Sequence, residues 1–198
     1  MVIRIGIALT AGLLFVGVAS ITNANGDIPT SPTTNIGSQL LTLSDLPALW
    51  SVDHYKQTTS KSCDSGSFSN LRAIAKAHVI FDYQNGLPEL GEQLVLSKSA
   101  PSAYAAISHR LNSCHKFTEV AGGQIDHGTI SGMSAPKFGN QSTAYEASVV
   151  VEGVPIKEGI ILVRDGRYLV ELAVGSKGAL DTGLLHRMTS LALTKLTI

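Results

Sequence analysis

The chain has 198 residues, 44% of them hydrophobic and only 15% charged, with fifteen basic side chains against fifteen acidic ones. That balance excludes a disordered polyelectrolyte, and it leaves no basic footprint for nucleic acid or for an anionic membrane surface. The length suffices for one domain with a real core once a leader is set aside.

Residues 1–24 begin with a short basic start at Arg4 and an apolar run from Ile5 to Ala19. Small residues follow, with Val18-Ala19-Ser20 and Thr22-Asn23-Ala24 both usable for cleavage. This is the layout of a secretory signal peptide, with the mature chain starting between Ile21 and Asn25. The alternative is a retained anchor, since the run approaches the minimum length for a span. Membrane contact is expected only through such an uncleaved leader. Residues 25–39, rich in Pro, Thr, Ser, Gly and Asn, read as a flexible spacer. The single domain is expected over 40–198.

The domain opens on a leucine-rich stretch in which Pro47 prevents a long helix and Trp50 is expected to pack at the domain edge. Residues 57–69 are mostly Thr, Ser, Lys and Gly and read as a loop that contains Cys63. Phe68, Leu71 and Ala75 suggest a short helix beyond it. Strands are then predicted over Ala77–Tyr83, ending at Asn85-Gly86, and over Glu92–Ser97.

Next comes the stretch Ser97–Phe117, with a helix predicted over Ser102–Asn112. Ser99 and Pro101 supply the start signal. Tyr104, Ile107, Leu111 and Cys114 fall on one face by their spacing. His115 and Lys116 are assigned to the last turn, where positive charge suits the helix dipole. A weaker strand is predicted over Gln124–Ser131, followed by Thr143–Glu152, Ile156–Arg164 and Arg167–Val174. Asp165-Gly166 gives a strong two-residue hairpin signal between the last two. Leu184, Leu185, Met188, Leu191, Ala192 and Leu196 recur at helical spacing and predict a closing helix over Leu180–Leu196. The order gives an α+β fold, an antiparallel sheet with two or three helices packed on it, the two clear helices sharing one face.

Two cysteines in an exported chain favour a Cys63–Cys114 disulfide, because the compartment is oxidising and the count leaves no other intramolecular partner. Such a bridge closes a loop of about 50 residues, worth roughly 4 kcal/mol by chain entropy before native strain is subtracted. The alternative, two thiols with one catalytic, lacks a motif.

Catalytic signals are thin. Ser113-Cys114-His115-Lys116 matches S-x-x-K, but the serine closes a helix instead of opening one, and S-D-N and K-T-G partners are absent. The six histidines show no ligand spacing, so no metal or cofactor is expected. A hydrolase would have to use Ser131, His127 and Asp126, and neighbours on a strand point to opposite faces, so Asp126 is badly placed to orient His127. Asn140-Gln141-Ser142 fits the N-glycosylation pattern, relevant only in a eukaryotic secretory pathway.

The region Ala77–Leu196 resembles the extracellular sensor domain of mycobacterial PknH-type serine/threonine kinases. The likeness lies in the strand–turn–strand order, the Ala-rich helix ending in L-x-x-C (Leu111 to Cys114), the strands around the Val163–Gly166 hairpin and the closing amphipathic helix. The resemblance implies an α+β sensor-like fold with a cleft for a ligand, outside the cell and without catalysis. The chain departs from that family in having two cysteines where four are often present, and in carrying no kinase domain. The functional expectation is a secreted or envelope-associated, non-catalytic module that binds a small molecule, lipid, glycan or protein. The alternatives are a wall-associated interaction module without a small ligand and, third, the secreted hydrolase.

Overall fold

The structure is a computed structural model that describes residues 35–53, 73–84, 86–121, 124–151 and 153–196. The leader and Cys63 lie outside the described residues, as do Phe68 and Leu71 of the short helix expected before the sheet. One antiparallel sheet of eight strands dominates it. In chain order the strands are β1 (Trp50–Val52), β2 (Ala73–Tyr83), β3 (Glu89–Ser97), β4 (Lys116–Ala121), β5 (Gln124–Gly132), β6 (Gln141–Val151), β7 (Val154–Asp165) and β8 (Tyr168–Lys177). Helix α1 (Ala100–Ser113) joins β3 to β4, and α2 (Thr182–Thr194) follows β8. Spatially the order is β1-β2-β3-β8-β7-β6-β5-β4. The strands β4 to β8 form a meander that returns β8 to the side of β3.

The α+β class is as expected, but the two helices do not share a face. Tyr104, Ile107 and Leu111 of α1 pack with Ile160, Leu162, Leu169 and Ala173. Leu184, Leu185 and Met188 of α2 pack with Ile161, Val163, Val170 and Leu172. Successive strand residues point to opposite faces, so these are two layers with the sheet between them. The reason is visible in β7 and β8: Ile160, Ile161, Leu162 and Val163 are all fully buried, as are Leu169 and Val170. A continuous apolar run of this kind marks a strand covered on both sides.

The α2 face carries a second cover. Ile36, Leu40, Leu41 and Leu46 are buried there, on a strap containing two short 3-10 turns, Gly37–Gln39 and Leu43–Asp45. The folded domain thus takes in Ile36–Gln39, which composition assigns to the spacer; the buried Ile36 side chain anchors a polar stretch. Trp50 begins the edge strand β1 and meets the Tyr83 ring edge-on at 5.8 Å.

Several local readings are corrected. Ala75 lies in β2 and not in a helix, because Ala75–Asp82 pair with β3 through a continuous register. Helix α1 stops at Ser113, and His115 and Lys116 lie beyond it, with Lys116 opening β4. Ser99 occupies the N-cap position of α1 without a side-chain capping bond. The tight turn after β7 is Gly166-Arg167, since Asp165 still pairs with Tyr168. Gly166 has φ +54, the left-handed region that glycine enters without penalty. In the β4–β5 pair Phe117 lies opposite Gly128, and a Cβ there would sit 2.1 Å from the Phe117 ring. The ring occupies the space that Gly128 leaves.

The strap crosses a buried carboxyl. Glu92 of β3 is fully buried on the α2 face, and its Oε2 accepts the Leu41 N–H at 2.6 Å. Nearby, Lys195 just after α2 pairs with Asp45 of the strap, and Asp45 Oδ2 also accepts the Thr42 N–H at 2.7 Å. Burial pushes the Glu92 carboxyl up to about 7, against the pull of the Leu41 N–H and of Lys195. The Lys195 ammonium holds Asp45 below its ordinary value. A carboxyl raised on folding stabilises the fold fully below its unfolded value near 4.5, and that contribution is lost as pH rises to about 7. For a shift of this size the loss is about 3 kcal/mol. Urea titrations at a series of pH values should therefore show stability falling between these limits. Glu92→Gln, which keeps an acceptor for Leu41, should flatten that fall and exceed the parent above pH 7. An unchanged pH profile in Glu92→Gln would refute the assignment.

Candidate functional site

Strands β5 and β6 pair only from Gly128↔Val149 to Gly132↔Tyr145. Past that point the chain leaves the sheet, and the segment 133–138 runs beside β6 without strand structure before Phe138 and Gly139 turn it back. Between the departing segment and the first residues of β6 lies a cleft of about 310 Å³. Its lining comes from Gly132 and Met133–Pro136 on one side and Ser142–Tyr145 on the other, with Asn112 at the end of α1. Its volume sits at the small end of ligand pockets.

Each side chain is placed by an identifiable constraint. Tyr145 is a core residue of the α1 face, 2% exposed. Its hydroxyl lies 3.2 Å from Asn112 Oδ1 and 3.3 Å from the Ser108 carbonyl, so its one proton is shared between two acceptors on the last turns of α1. Burial pushes the phenol above its ordinary value, which keeps it a neutral donor. The Ser108 and Thr143 hydroxyls approach within 3.5 Å. Ser142 Oγ accepts the Phe138 N–H at 3.0 Å and so pins the return of the peeled segment. None of the lining residues is charged. The cleft offers hydroxyls, an amide and backbone groups at small side chains. That chemistry suits hydrogen bonding to a neutral polar ligand.

The sequence candidates fall elsewhere. Asp126 is buried on the α1 side of β5, whereas His127 and Ser131 are exposed on the other side, with His127 Nδ1 3.4 Å from Thr118 Oγ1. His127 and Ser131 stand four residues apart on one strand, roughly 13 Å at the usual rise. The geometry does not assemble a triad from these three. Ser113 Oγ donates to the His109 carbonyl at 2.8 Å as the helix closes, and Lys116 is already in β4, so the S-x-x-K match gains no active-site context. Among the described residues no group of His, Cys, Asp and Glu could hold a metal ion. Asn140 Oδ1 accepts the Gly166 N–H at 2.8 Å and ties the β7–β8 turn to the start of β6.

Cys114 is half-buried against the α1 core, and its Sγ lies 3.4 Å from the Lys116 carbonyl. Among the described residues no cysteine is free. Cys63 lies outside the described residues, so the Cys63–Cys114 pairing stands as a proposal. No described helix is long and apolar enough to cross a membrane.

The cleft residues themselves were not singled out by sequence. The one available signal was the break Gly132-Met133-Ser134-Ala135-Pro136, where a strand pattern stops before the next begins.

No protein-family model matches the chain, and no curated protein matches it. Among solved structures it is similar to the extracellular domain of PknH from Mycobacterium tuberculosis, with a TM-score of 0.57 at 10% identity. The match covers 85% of this chain and 100% of that one. At this identity the likeness is one of fold alone: an antiparallel sheet with helices packed on it.

The Tyr145 hydroxyl joins the wall of the cleft to α1, and its removal tests that joint. Tyr145→Phe keeps the ring but leaves Asn112 Oδ1 and the Ser108 carbonyl without this donor. The expected cost is about 1 kcal/mol in urea unfolding. Stability equal to the parent would show that the hydroxyl contributes nothing to the joint.

Proposed function

We propose that the chain is an exported, non-catalytic ligand-binding or sensor-like module that works outside the cell, in an envelope of the actinobacterial type. The observation that carries the reading is the uncharged cleft beside β6, set in a fold similar to an extracellular domain. The leader-like residues 1–24, the polar stretch after them and the pair of cysteines point the same way. A cleft lined by hydroxyl, amide and backbone groups supplies orientation by hydrogen bonds and holds no acid–base pair. The unassembled Asp126, His127 and Ser131 weigh against the hydrolase.

The Cys63–Cys114 bridge belongs to the same reading. Cys114 sits at the C-cap of α1, beside the core. Replacing both cysteines by Ser should cost roughly 2–4 kcal/mol. Two titratable thiols in the protein recovered from culture filtrate would overturn the pairing.

Binding to the native state alone must raise the midpoint of unfolding, by about 2.7 kcal/mol of stability at a hundredfold excess over Kd. Thermal unfolding should be followed against envelope lipids, glycans and peptidoglycan fragments, in the parent and in Ser134→Trp. Ser134 is exposed on the cleft wall, so the indole fills the cleft without entering the core. At least one fragment class should stabilise the parent and not the variant. No stabilisation by any class, or stabilisation that survives Ser134→Trp, would sink the reading.

A further inference from the structure

We propose that the cleft takes an extended, uncharged peptide segment, hydrogen-bonded along the open edge of β6 as an added strand. The inference rests on the cleft being the ligand site proposed above and names the class of ligand.

The argument starts from register. The Met133 N–H donates to the Ala144 carbonyl at 2.9 Å, the last backbone bond between the departing segment and β6. That bond sets the peptide groups of Ala144 on the β5 side of the strand. Peptide groups alternate sides along an antiparallel strand, so Thr143 faces β7 and Ser142 again faces outward. On the inner side β6 stays paired with β7 throughout, from Gln141↔Arg164 to Val151↔Val154. On the outer side β5 has ended at Gly132. The N–H and C=O of Ser142 are thereby turned into the cleft, a donor and an acceptor presented together as a neighbouring strand would meet them.

Shape and charge narrow the ligand further. From Ser142 to Ala144 the strand advances about 7 Å at 3.4 Å per residue, the Cα span of a three-residue segment. Both walls are lined by small side chains, among them Gly132, Ala135 and Ala144, which let another backbone approach closely. With no charged residue in the lining, a phosphate or a cation would find no counter-charge there, whereas a neutral main chain needs none. Main-chain bonds of this kind supply affinity in strand addition, and flanking pockets supply the choice of side chains. Met133 is placed for that second role, as the largest flexible apolar side chain in the wall.

The test uses the full chain, isotope-labelled, with three probes. These are acetyl-Ala-Val-Ala-amide, the same tripeptide with its backbone nitrogens methylated, and chitotriose as a neutral glycan. The expected result is that the plain tripeptide shifts the Ser142 amide resonance and those of its cleft neighbours. The methylated peptide should bind at least tenfold more weakly, because it lacks the N–H donors of an added strand. Ser142→Pro removes the outward N–H while leaving the β7 side paired, and should weaken the plain tripeptide at least tenfold. Ser142→Ala lacks the same hydroxyl but keeps the N–H, and should bind the plain tripeptide at least fivefold more tightly than Ser142→Pro. Thermal unfolding of both variants reports whether the fold survives, and the methylated probe decides the matter if Ser142→Pro does not fold. Shifts at the cleft from chitotriose and none from the tripeptide would overturn the peptide inference and leave the ligand-site reading standing. Equal binding of plain and methylated peptides would overturn strand addition in the same way. No response at the cleft to any of the three overturns the peptide inference, and the envelope-fragment unfolding series then judges the site separately.

Discussion

Burial of the central strands on both faces is the constraint from which the rest of the structure follows. In β3, β7 and β8 the side chains of both parities are largely withdrawn from water: Leu94 and Val95, Ile161 and Leu162, Leu169 and Val170 are all fully buried. Each large aliphatic side chain so buried is worth about 1.5–3 kcal/mol, so neither face could stay open. One face is closed by α1. The other is closed by α2 together with the N-terminal strap, and the strap is set in place by a polar contact, the Leu41 N–H on Glu92. A carboxyl in an apolar layer is costly, and here it accepts a backbone N–H from the strap. Position of the strap and protonation of Glu92 are therefore one matter.

Much of this was legible in the chain. The spacing of Tyr104, Ile107 and Leu111 announced α1, and Leu184, Leu185 and Met188 announced α2; all six are buried. Periodicity says which side of a helix is apolar, and nothing about which side of a sheet receives it. The information on faces lay in the strands, where IILV over Ile160–Val163 is continuous and not alternating. Ala75, grouped with Phe68 and Leu71 as a short helix, is strand because β3 pairs with it from Ala75 to Asp82. Strand β4 was hidden for a similar reason: Phe117 is its one described buried residue, and it packs into a gap made by a glycine on another strand.

The cleft was the least legible part, because it arises from where two strands stop pairing. Gly132 and Pro136 mark a break in the chain, but they do not say that β6 begins at Gln141 and outruns β5. Nor does any local pattern bring Asn112, 33 residues before Tyr145 in the sequence, against its hydroxyl. The site residues are common types, Ser, Thr, Ala and Asn, whose meaning comes only from register. The hydrolase candidates had the opposite character. They carried suggestive chemistry in Asp126, His127 and Ser131, but alternation puts Asp126 on the opposite face and the rise of the strand keeps His127 from Ser131.

The pairing of Lys195 with Asp45 joins residues 150 positions apart, and it brings the first and last parts of the folded domain side by side. Such neighbouring ends allow the connectivity to be rewired without altering the core. A circular permutant could join the chain beyond Leu196 to the chain before Ile36 through a short linker and reopen it at an exposed turn such as Gly166-Arg167. With Ile36 and Leu196 both in the α2-side core, the domain also suits insertion as a unit into a host loop, entering and leaving on that side of the sheet.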